Sequence, residues 1–401
     1  MKLLSGRWRP AAPRRSPVSI RILHVVDSWA VGGLQNGLFN LIERMDPSRY
    51  EHVVCAMRPA GGGDAFSTGR AQMASLSAKD SASRFQIPAL ARVIRQVNPD
   101  IVHTRNWGTW EAQAAACYAA SCARIHSEHG IDWDTTAHEP LRRILFRRLA
   151  FQMAHRVLSV SSQLRDLHAR RTGFPARRIT VVHNGVDGSR FSPDPSARAR
   201  LRRELELGEE EFCIGCVGNL IPVKDHMTTL RAVDRFAQCG RPWRLLIVGD
   251  GPLLSALTEF VNGRQDCKGR VMFLGKSNRV ADLLNAMDAY VLSSLTEGIS
   301  NSVLEAMATG LPVVVSATGG NPEVVVSGES GLLFPVGDER RLAELLRMLQ
   351  TQRELRQRLG RNALRRVREE FSLDSMVKRY TDIYENLVSA GERPARTLAR
   401  V

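Results

Sequence analysis

The chain has 401 residues, of which 43% are apolar and 24% are charged, and its formal net charge is +15. These values are ordinary for a soluble globular protein of two domains. No apolar run reaches the roughly 20 residues needed to cross a bilayer, which argues against a membrane-spanning protein and favours a cytoplasmic one, free or peripheral at the inner face of the membrane.

The N-terminal residues 1–20 are predicted to form a disordered basic tail. Six Lys and Arg residues and no acid lie within residues 1–21. Pro, Arg and Ser dominate the segment, which is typical of disorder, and it lacks the apolar core of a signal peptide. A mis-assigned start codon would give the same pattern.

Short β-branched runs alternate with helical stretches in both halves of the chain, from IRILHVVD to RITVVHN and from FCIGCVG to SGLLFPV. This alternation predicts an α/β protein with two doubly wound, Rossmann-like domains, each a parallel sheet of five or six strands covered on both faces. Ligands of such sheets bind beyond the carboxyl ends of the strands, so we expect a site in the cleft between the domains. The predicted segments are an N-terminal domain at 21–187, a linker at 188–208, a C-terminal domain at 209–373, a helix at 374–390 and a tail at 391–401.

The first candidate site is the turn after the first predicted strand, where Gly32 and Gly33 precede a helix. Adjacent glycines let the backbone approach a ligand closely, and a helix start offers free N–H groups to an anion. A tight strand-to-helix turn without a ligand explains the pair equally well.

Histidines follow two later strands of the N-terminal half. His103, with Arg105 near it, and His129 are predicted at or just past the ends of neighbouring strands, where side chains face the cleft. A structural role is the alternative for each. His129, which Gly130 follows, is the better candidate for a functional role.

Residues 139–156 predict a cationic helix in which apolar residues from Leu141 to Met153 follow helical spacing and four arginines occupy other faces. Such a helix can rest on anionic lipid, or it can be an ordinary packed helix with solvated arginines. Basic residues with interleaved aromatics do not cluster elsewhere, so we expect no nucleic-acid partner.

The seven cysteines are scattered along the chain. Cys213 and Cys216 form a C-x-x-C pair, but the pair lies inside a predicted strand and no second pair is near it. We expect buried structural thiols here, and we predict no zinc or redox site.

Lys224 is predicted to open a helix after the strand FCIGCVG and a loop. The helix dipole disfavours a cation at this position unless the lysine neutralises a bound phosphate. A solvated lysine is the alternative.

The stretch LTEGISNSVLEAMATG, at 295–310, combines a loop and a helix that carry two carboxylates. Gly298 and the N–H groups of residues 300–302 can form an anion cradle at the helix start. Glu305 in the helix and Glu297 in the loop can accept hydrogen bonds from hydroxyl groups. The stretch predicts a ligand with an anionic centre and a hydroxylated ring at each end.

Together these motifs resemble the retaining glycosyltransferases of family 4, which have the GT-B fold, over about residues 20–390. The resemblance rests on VGGLQNGL, HNGVD, VGNLIPVKDH, VGDGP, FLG and the E-x7-E segment EGISNSVLEAMATGLPVVVSATGGNPEVV with its Gly-Gly-x-x-Glu. VGGLQNGLFNLI, VHTRNW and EGISNSVLEAM are most similar to sugar transferases encoded with exopolysaccharide and exosortase (PEP-CTERM) systems.

The resemblance implies a UDP- or GDP-type nucleotide diphosphate sugar as donor, a glycan or polyprenyl-linked acceptor, no cofactor and no essential metal. It also implies that the C-terminal helix packs back on the N-terminal domain. Catalytic roles fall to Lys224 at the diphosphate, Glu297 at the donor sugar and His129 near the reacting sugar. The implied donor contacts further include Glu305 at the ribose, Gly275 beside the base, Gly32 and Gly33 at the phosphate or acceptor, and the backbone of Gly298, Ile299, Ser300, Asn301 and Ser302 at the sugar and diphosphate.

Asn219 departs from the family pattern, since many members have Arg five positions before the lysine. Asparagine can donate a hydrogen bond but brings no charge, so either helix N-termini or another arginine must hold the diphosphate. Two other functions fit the same motifs: a nucleotide-sugar epimerase, which needs no acceptor, and a non-catalytic nucleotide-sugar-binding component of a polysaccharide assembly complex.

Overall fold

The computed structural model describes residues 19–28, 32–58, 69–76, 81–82, 85–131, 139–237 and 240–389. The predicted tails lie outside this part of the chain, except for residues 19 and 20. Among the described residues, no helix combines the length and the apolar character needed to cross a bilayer.

The N-terminal domain is built on a parallel sheet of seven described strands, in the order β3-β2-β1-β4-β5-β6-β7. Its strands are β1 Ile20–Val26, β2 Tyr50–Ala56, β3 Ala71–Ser75, β4 Ile101–Arg105, β5 Ala123–Glu128, β6 Arg156–Ser159 and β7 Ile179–Val181. The sheet has one strand more than predicted, because the edge strand β3 (AQMAS) carries no β-branched residue and is held by its pairing with β2.

Helices cover both faces of this sheet. The helices are α1 Gly33–Arg44, α2 Ile87–Val97, α3 Trp110–Ala119, α4 Leu141–Met153 and α5 Ser162–Thr172. Successive β1 side chains alternate between the faces, so Leu23 and Val25 pack with α2 and α3 while Val26 packs with α1.

The C-terminal domain is built on a parallel sheet of six described strands, in the order β10-β9-β8-β11-β12-β13. Its strands are β8 Phe212–Val217, β9 Trp243–Val248, β10 Val271–Phe273, β11 Ala289–Leu292, β12 Val313–Ser316 and β13 Leu332–Phe334. Its helices are α6 Pro195–Glu204, α7 His226–Phe236, α8 Leu254–Asn262, α9 Val280–Ala286, α10 Asn301–Ala308, α11 Asn321–Val324, α12 Glu339–Thr351 and α13 Arg353–Glu370. The predicted α/β class with two parallel sheets is confirmed.

Two core clusters fill the two faces of the second sheet. Cys213 packs in the cluster that α9, α10 and α13 complete, whereas Cys216 packs in the cluster of α7, α8 and α12. The two thiols therefore point to opposite faces of β8 and cannot bind one ion together. Burial raises the pKa of Cys216 to about 12, so its thiol stays protonated at neutral pH.

The last helix, α14 (Leu373–Ser389), returns to the N-terminal domain. Its Met376, Tyr380 and Tyr384 pack in one core cluster with Ile22 of β1 and Ile101 of β4. The predicted linker at 188–208 contains α6, which packs in the core of the C-terminal domain. The chain therefore crosses between the domains twice, and the residues at the two crossings, Val186 and Ser372, form a backbone bridge.

Candidate functional site

A cavity of about 630 Å³ opens between the two domains, at the carboxyl ends of their strands. Of the thirteen residues predicted for the site, twelve line it, although they come from segments as distant as 32 and 305 in the chain. These are Gly32, Gly33, His129, Asn219, Lys224, Glu297, Gly298, Ile299, Ser300, Asn301, Ser302 and Glu305.

Gly275, proposed to lie beside the base, is not among the residues that line the cavity. Its φ of +64° is a left-handed conformation that favours glycine, and its carbonyl oxygen accepts a hydrogen bond of 2.8 Å from the Gly249 N–H. Ser277, two residues further on, does line the cavity. Gly275 thus shapes the loop that brings Ser277 to the site.

Lys224 and Glu297 form an ion pair inside the cavity. Lys224 Nζ lies 2.5 Å from Glu297 Oε1, and the Ser294 hydroxyl donates to the same oxygen at 2.6 Å. Lys224 ends a short 3₁₀ turn and α7 begins two residues later, with Asp225 as its capping residue. The lysine therefore precedes the helix instead of opening it, and its charge is balanced by a carboxylate.

The start of α10 presents its backbone to the same cavity. Ser300, the capping residue, makes no side-chain capping bond, so the first N–H groups of the helix have no side-chain partner from it. The Asn301 side chain donates to the Gly33 carbonyl oxygen at 3.0 Å and accepts from the Asn184 side chain at 2.9 Å. Asn301 thus joins the glycine turn after β1 to the helix start across the cleft.

Glu305 lies one turn further along α10. Burial raises the pKa of its carboxyl group to about 7, and the positive charge of Arg190 opposes this shift. Lys224 and Arg190 are the Lys and Arg side chains among the described residues that line the cavity, while Asn219 has no charge. Arg190 is thus an arginine at the cavity, and its charge acts on Glu305.

His129 borders the cavity, whereas His103 and Arg105 do not. His103 and Arg105 are only 0% and 2% exposed inside the domain, so the prediction that the His103 side chain faces the cleft is wrong. Both belong to β4, a central strand whose side chains are covered by helices on both faces. His129 Nε2 lies 2.9 Å from the Ser127 hydroxyl, which in turn contacts His103 Nε2 at 3.0 Å.

Glu323, the last residue of the Gly-Gly-x-x-Glu segment, joins the two domains. Its carboxylate accepts hydrogen bonds of 2.9 Å from the N–H groups of Ser162 and Gln163, at the start of α5, and lies 3.2 Å from His183 Nε2. Burial alone would raise the pKa of Glu323, but these hydrogen bonds outweigh it and lower the pKa to about 2. A carboxylate of one domain thus caps a helix of the other.

The cationic helix α4 differs from its prediction in which side chains it buries. Leu141, Leu145 and Leu149 are 81%, 54% and 37% exposed, although their spacing suits a core face. Arg147 is 3% exposed and is bound by two buried carboxylates, Glu128, at 2.7 Å, and Glu139. The helix therefore turns leucines to the surface, and one of its arginines compensates buried acids.

No group of three or more His, Cys, Asp or Glu side chains among the described residues is arranged to hold a metal ion. The positive groups at the cavity are instead side-chain cations and backbone N–H groups.

Two family models match the chain: Glycosyltransferase Family 4 over residues 31–190 and Glycosyl transferases group 1 over residues 197–366. N-acetyl-alpha-D-glucosaminyl L-malate synthase of Bacillus anthracis is 30% identical over 308 residues, which are 75% of this chain and 78% of the relative. UDP-Gal:alpha-D-GlcNAc-diphosphoundecaprenol alpha-1,3-galactosyltransferase of Escherichia coli is 26% identical over 306 residues, 75% of this chain and 79% of the relative.

Among solved structures, Anabaena HepE in complex with UDP and glucose superposes with a TM-score of 0.78 at 20% identity, covering 92% of this chain and 100% of HepE. Sucrose-phosphate synthase from Thermosynechococcus elongatus gives a TM-score of 0.79 at 20% identity, with the same coverage. These two likenesses show a shared fold.

Proposed function

The chain belongs to glycosyltransferase family 4 and has the GT-B fold, and on that basis we propose that it transfers a sugar from a nucleotide diphosphate sugar to a hydroxyl acceptor with retention at the anomeric carbon. The observation that carries the proposal is the cavity in which Lys224, Glu297, Glu305 and the start of α10 converge. A cation and backbone N–H groups suit a diphosphate, and the two carboxylates suit the hydroxyl groups of a sugar and a ribose.

Catalysis in this proposal is electrostatic. As the bond between sugar and diphosphate breaks, negative charge grows on the leaving diphosphate, and Lys224 with the N–H groups at the start of α10 stabilises it. Arg190 supplies a second cation at the cavity, and its charge acts on Glu305. These groups need no cofactor and no essential metal, which we include in the proposal.

Glu297 is proposed to orient the donor sugar and not to attack it. Its carboxylate is engaged by Lys224 and Ser294, which fixes its position and lowers its availability as a nucleophile. We therefore propose that the acceptor hydroxyl attacks on the face that the diphosphate leaves and gives its proton to an oxygen of the departing diphosphate, without a covalent sugar–enzyme intermediate. Closure of the domains around the donor would limit its hydrolysis by water.

The acceptor is proposed to be lipid-linked or a growing glycan in exopolysaccharide biosynthesis, reached from the inner face of the membrane. Support comes from α4, where Leu141, Leu145 and Leu149 are exposed beside Arg142 and Arg148. Exposed leucines flanked by arginines suit the surface of an anionic bilayer. The relative from Escherichia coli acts on a diphosphoundecaprenol-linked sugar, according to its name.

The experiment that tests the function combines a thermal-shift panel with product analysis. UDP-, GDP- and ADP-sugars are added to the wild type, Lys224→Ala and Glu297→Gln, because at one concentration a donor that binds more tightly raises the melting temperature further. One donor should stabilise the wild type and be turned over, and both variants should turn it over far more slowly. Sugar epimerisation without acceptor would identify an epimerase, and stabilisation without turnover would identify a binding component.

A further inference from the structure

Arg105 is a buried arginine whose contacts among the described residues include no carboxylate. Its terminal nitrogen Nη1 lies 3.1 Å from His24 Nδ1, and its second terminal nitrogen, Nη2, lies 3.4 Å from His103 Nδ1. The hydroxyl of Tyr384, which comes from α14, lies 2.9 Å from the same His103 Nδ1. A guanidinium group only donates hydrogen bonds, so each of the two histidine nitrogens must accept one.

This requirement sets the proton of His103. Arg105 can only donate to His103 Nδ1, so this nitrogen is an acceptor, and the Tyr384 hydroxyl, 2.9 Å away, donates its proton to it as well. Nδ1 of His103 therefore accepts from both neighbours and carries no proton. In a neutral imidazole the proton is then on Nε2, which lies 3.0 Å from the Ser127 hydroxyl oxygen and donates to it.

The direction of the Ser127 hydroxyl follows from two distances. Its proton can go to His129 Nε2 at 2.9 Å or to the Thr104 carbonyl oxygen at 3.5 Å. The first distance is near the optimum for a hydrogen bond and the second is at the outer limit. Ser127 therefore donates to His129, whose Nε2 is the acceptor and whose Nδ1 carries the proton.

Both histidines are neutral, as this chain of hydrogen bonds requires. Burial, with the charge of Arg105 added, lowers the pKa of His129 to about 3, although Glu128 opposes the shift. Burial and Arg105 also hold the pKa of His103 well below its usual range. Neither ring carries charge near neutral pH.

We propose that the relay from Arg105 through His103 and Ser127 holds His129 as the Nδ1–H tautomer, so that His129 acts in the cavity as a neutral hydrogen-bond donor and not as a base. Nε2 is occupied by Ser127, which leaves Nδ1–H for an oxygen of the donor sugar or diphosphate. Arg105 is then a positioning residue. Tyr384 of α14 acts with it, because its hydroxyl also donates to His103 Nδ1. The identity of the oxygen rests on the proposed function, but the tautomer does not.

The tautomer is tested without any substrate, by nitrogen NMR of the full-length protein labelled with ¹⁵N-histidine. The signal that disappears in His129→Asn assigns His129. We expect a protonated Nδ1 and an unprotonated Nε2 in the wild type, and a loss of this preference in Ser127→Ala. A protonated Nε2 in the wild type, or an unchanged pattern in Ser127→Ala, would overturn the relay.

The donor role is tested by two substitutions that imitate different ring nitrogens. The amide nitrogen of His129→Asn can occupy the place of Nδ1, whereas that of His129→Gln reaches the place of Nε2. We expect His129→Asn to transfer sugar about tenfold faster than His129→Gln, the effect of one hydrogen bond to the ligand. Equal rates or the reverse order would overturn the donor role. If the wild type transfers no sugar, the proposed function fails, while the NMR result still decides the tautomer.

Discussion

Lys224 Nζ and Glu297 Oε1 lie 2.5 Å apart at the cavity between the two domains. The cation that we assign to the diphosphate is therefore held in place by a carboxylate before a donor binds. Such a pair keeps the lysine extended into the cavity, so little side-chain freedom remains to be lost when an anion arrives.

Lys224→Ala should lower kcat/KM for sugar transfer by about 100-fold, since one lost contact to the developing charge costs about 3 kcal/mol. Steady-state kinetics with saturating acceptor measure this. Lys378→Ala is the matched control, because Lys378 is an exposed lysine of α14 that pairs with Asp382 and does not line the cavity. A loss below about threefold in Lys224→Ala would contradict the proposed role.

Glu305→Gln should change how stability depends on pH. Burial raises the pKa of Glu305 from 4.5 to about 7, so in this range the folded chain keeps a proton that the unfolded chain has lost. The group therefore lowers the free energy of unfolding as pH rises from about 4.5 to about 7, and the penalty stays at higher pH.

Glutamine cannot ionise, so Glu305→Gln should be more stable than the wild type at about pH 8, by on the order of 2 kcal/mol, and equally stable at about pH 4. Urea unfolding at the two pH values measures the difference. Glu210→Gln, at an exposed glutamate, is the control and should show no such change. A stability difference that is the same at both pH values would contradict the raised pKa.

Glu323→Ala should loosen the contact between the domains. It removes two hydrogen bonds to the start of α5, a loss that typically costs about 1 kcal/mol for a helix cap. Small-angle X-ray scattering should then show a larger radius of gyration without donor, whereas Glu329→Ala, at an exposed carboxylate of the same domain, should not.

The pKa of Glu323 is lowered to about 2, so its carboxylate favours the closed arrangement above the pKa of an unfolded glutamate, 4.5, and loses this effect as pH falls towards 2. Scattering curves of Glu323→Ala and the wild type that coincide at neutral pH would show that the contact does not hold the domains together.

Leu145→Glu should weaken binding to vesicles that contain anionic lipid, because it places a charge in the exposed leucine surface of α4. Val336→Glu is the control, since Val336 is 43% exposed on the C-terminal domain. Sedimentation with vesicles measures binding. Wild-type binding should also fall at high salt, because Arg142 and Arg148 act electrostatically, and equal binding at low and high salt would contradict this part of the proposal.

Removal of divalent metal ions should leave transfer activity unchanged. Lys224, Arg190 and the start of α10 supply the positive charge at the cavity. We expect them to stabilise the negative charge of the leaving diphosphate, as a bound cation does in metal-dependent transferases. Activity is measured after dialysis against EDTA, with and without added Mg²⁺ or Mn²⁺. A loss that Mg²⁺ or Mn²⁺ restores would contradict metal independence.

Several features of the site were predictable because they follow local rules. Glycines and helix starts after strands lie at the carboxyl edge of a parallel sheet, so the sequence alone assigns Gly33, His129 and Asn301 to one cleft. The edge strand β3 was missed, since AQMAS has no pattern of its own and depends on its neighbour for pairing.

The partners of charged groups were not predictable. The sequence predicted that Arg147 would be a solvated arginine of an amphipathic helix. In the structure it is buried and pairs with Glu128 and Glu139. The His103 side chain was expected in the cleft but lies inside the domain beside Arg105, and Arg190 was not singled out. A carboxylate far away in the chain leaves no local signal near the arginine that will bind it.

The sequence by itself determined the α/β class, the two parallel sheets and the position of the site at their carboxyl ends, because hydrophobic periodicity and turn residues act over a few neighbouring positions. Only the tertiary structure decided which carboxylate pairs with Lys224, which other cation lines the cavity and which nitrogen of His129 contacts Ser127. Those outcomes depend on distances of about 3 Å between residues that are far apart in the chain, and burial determines the strength of each contact.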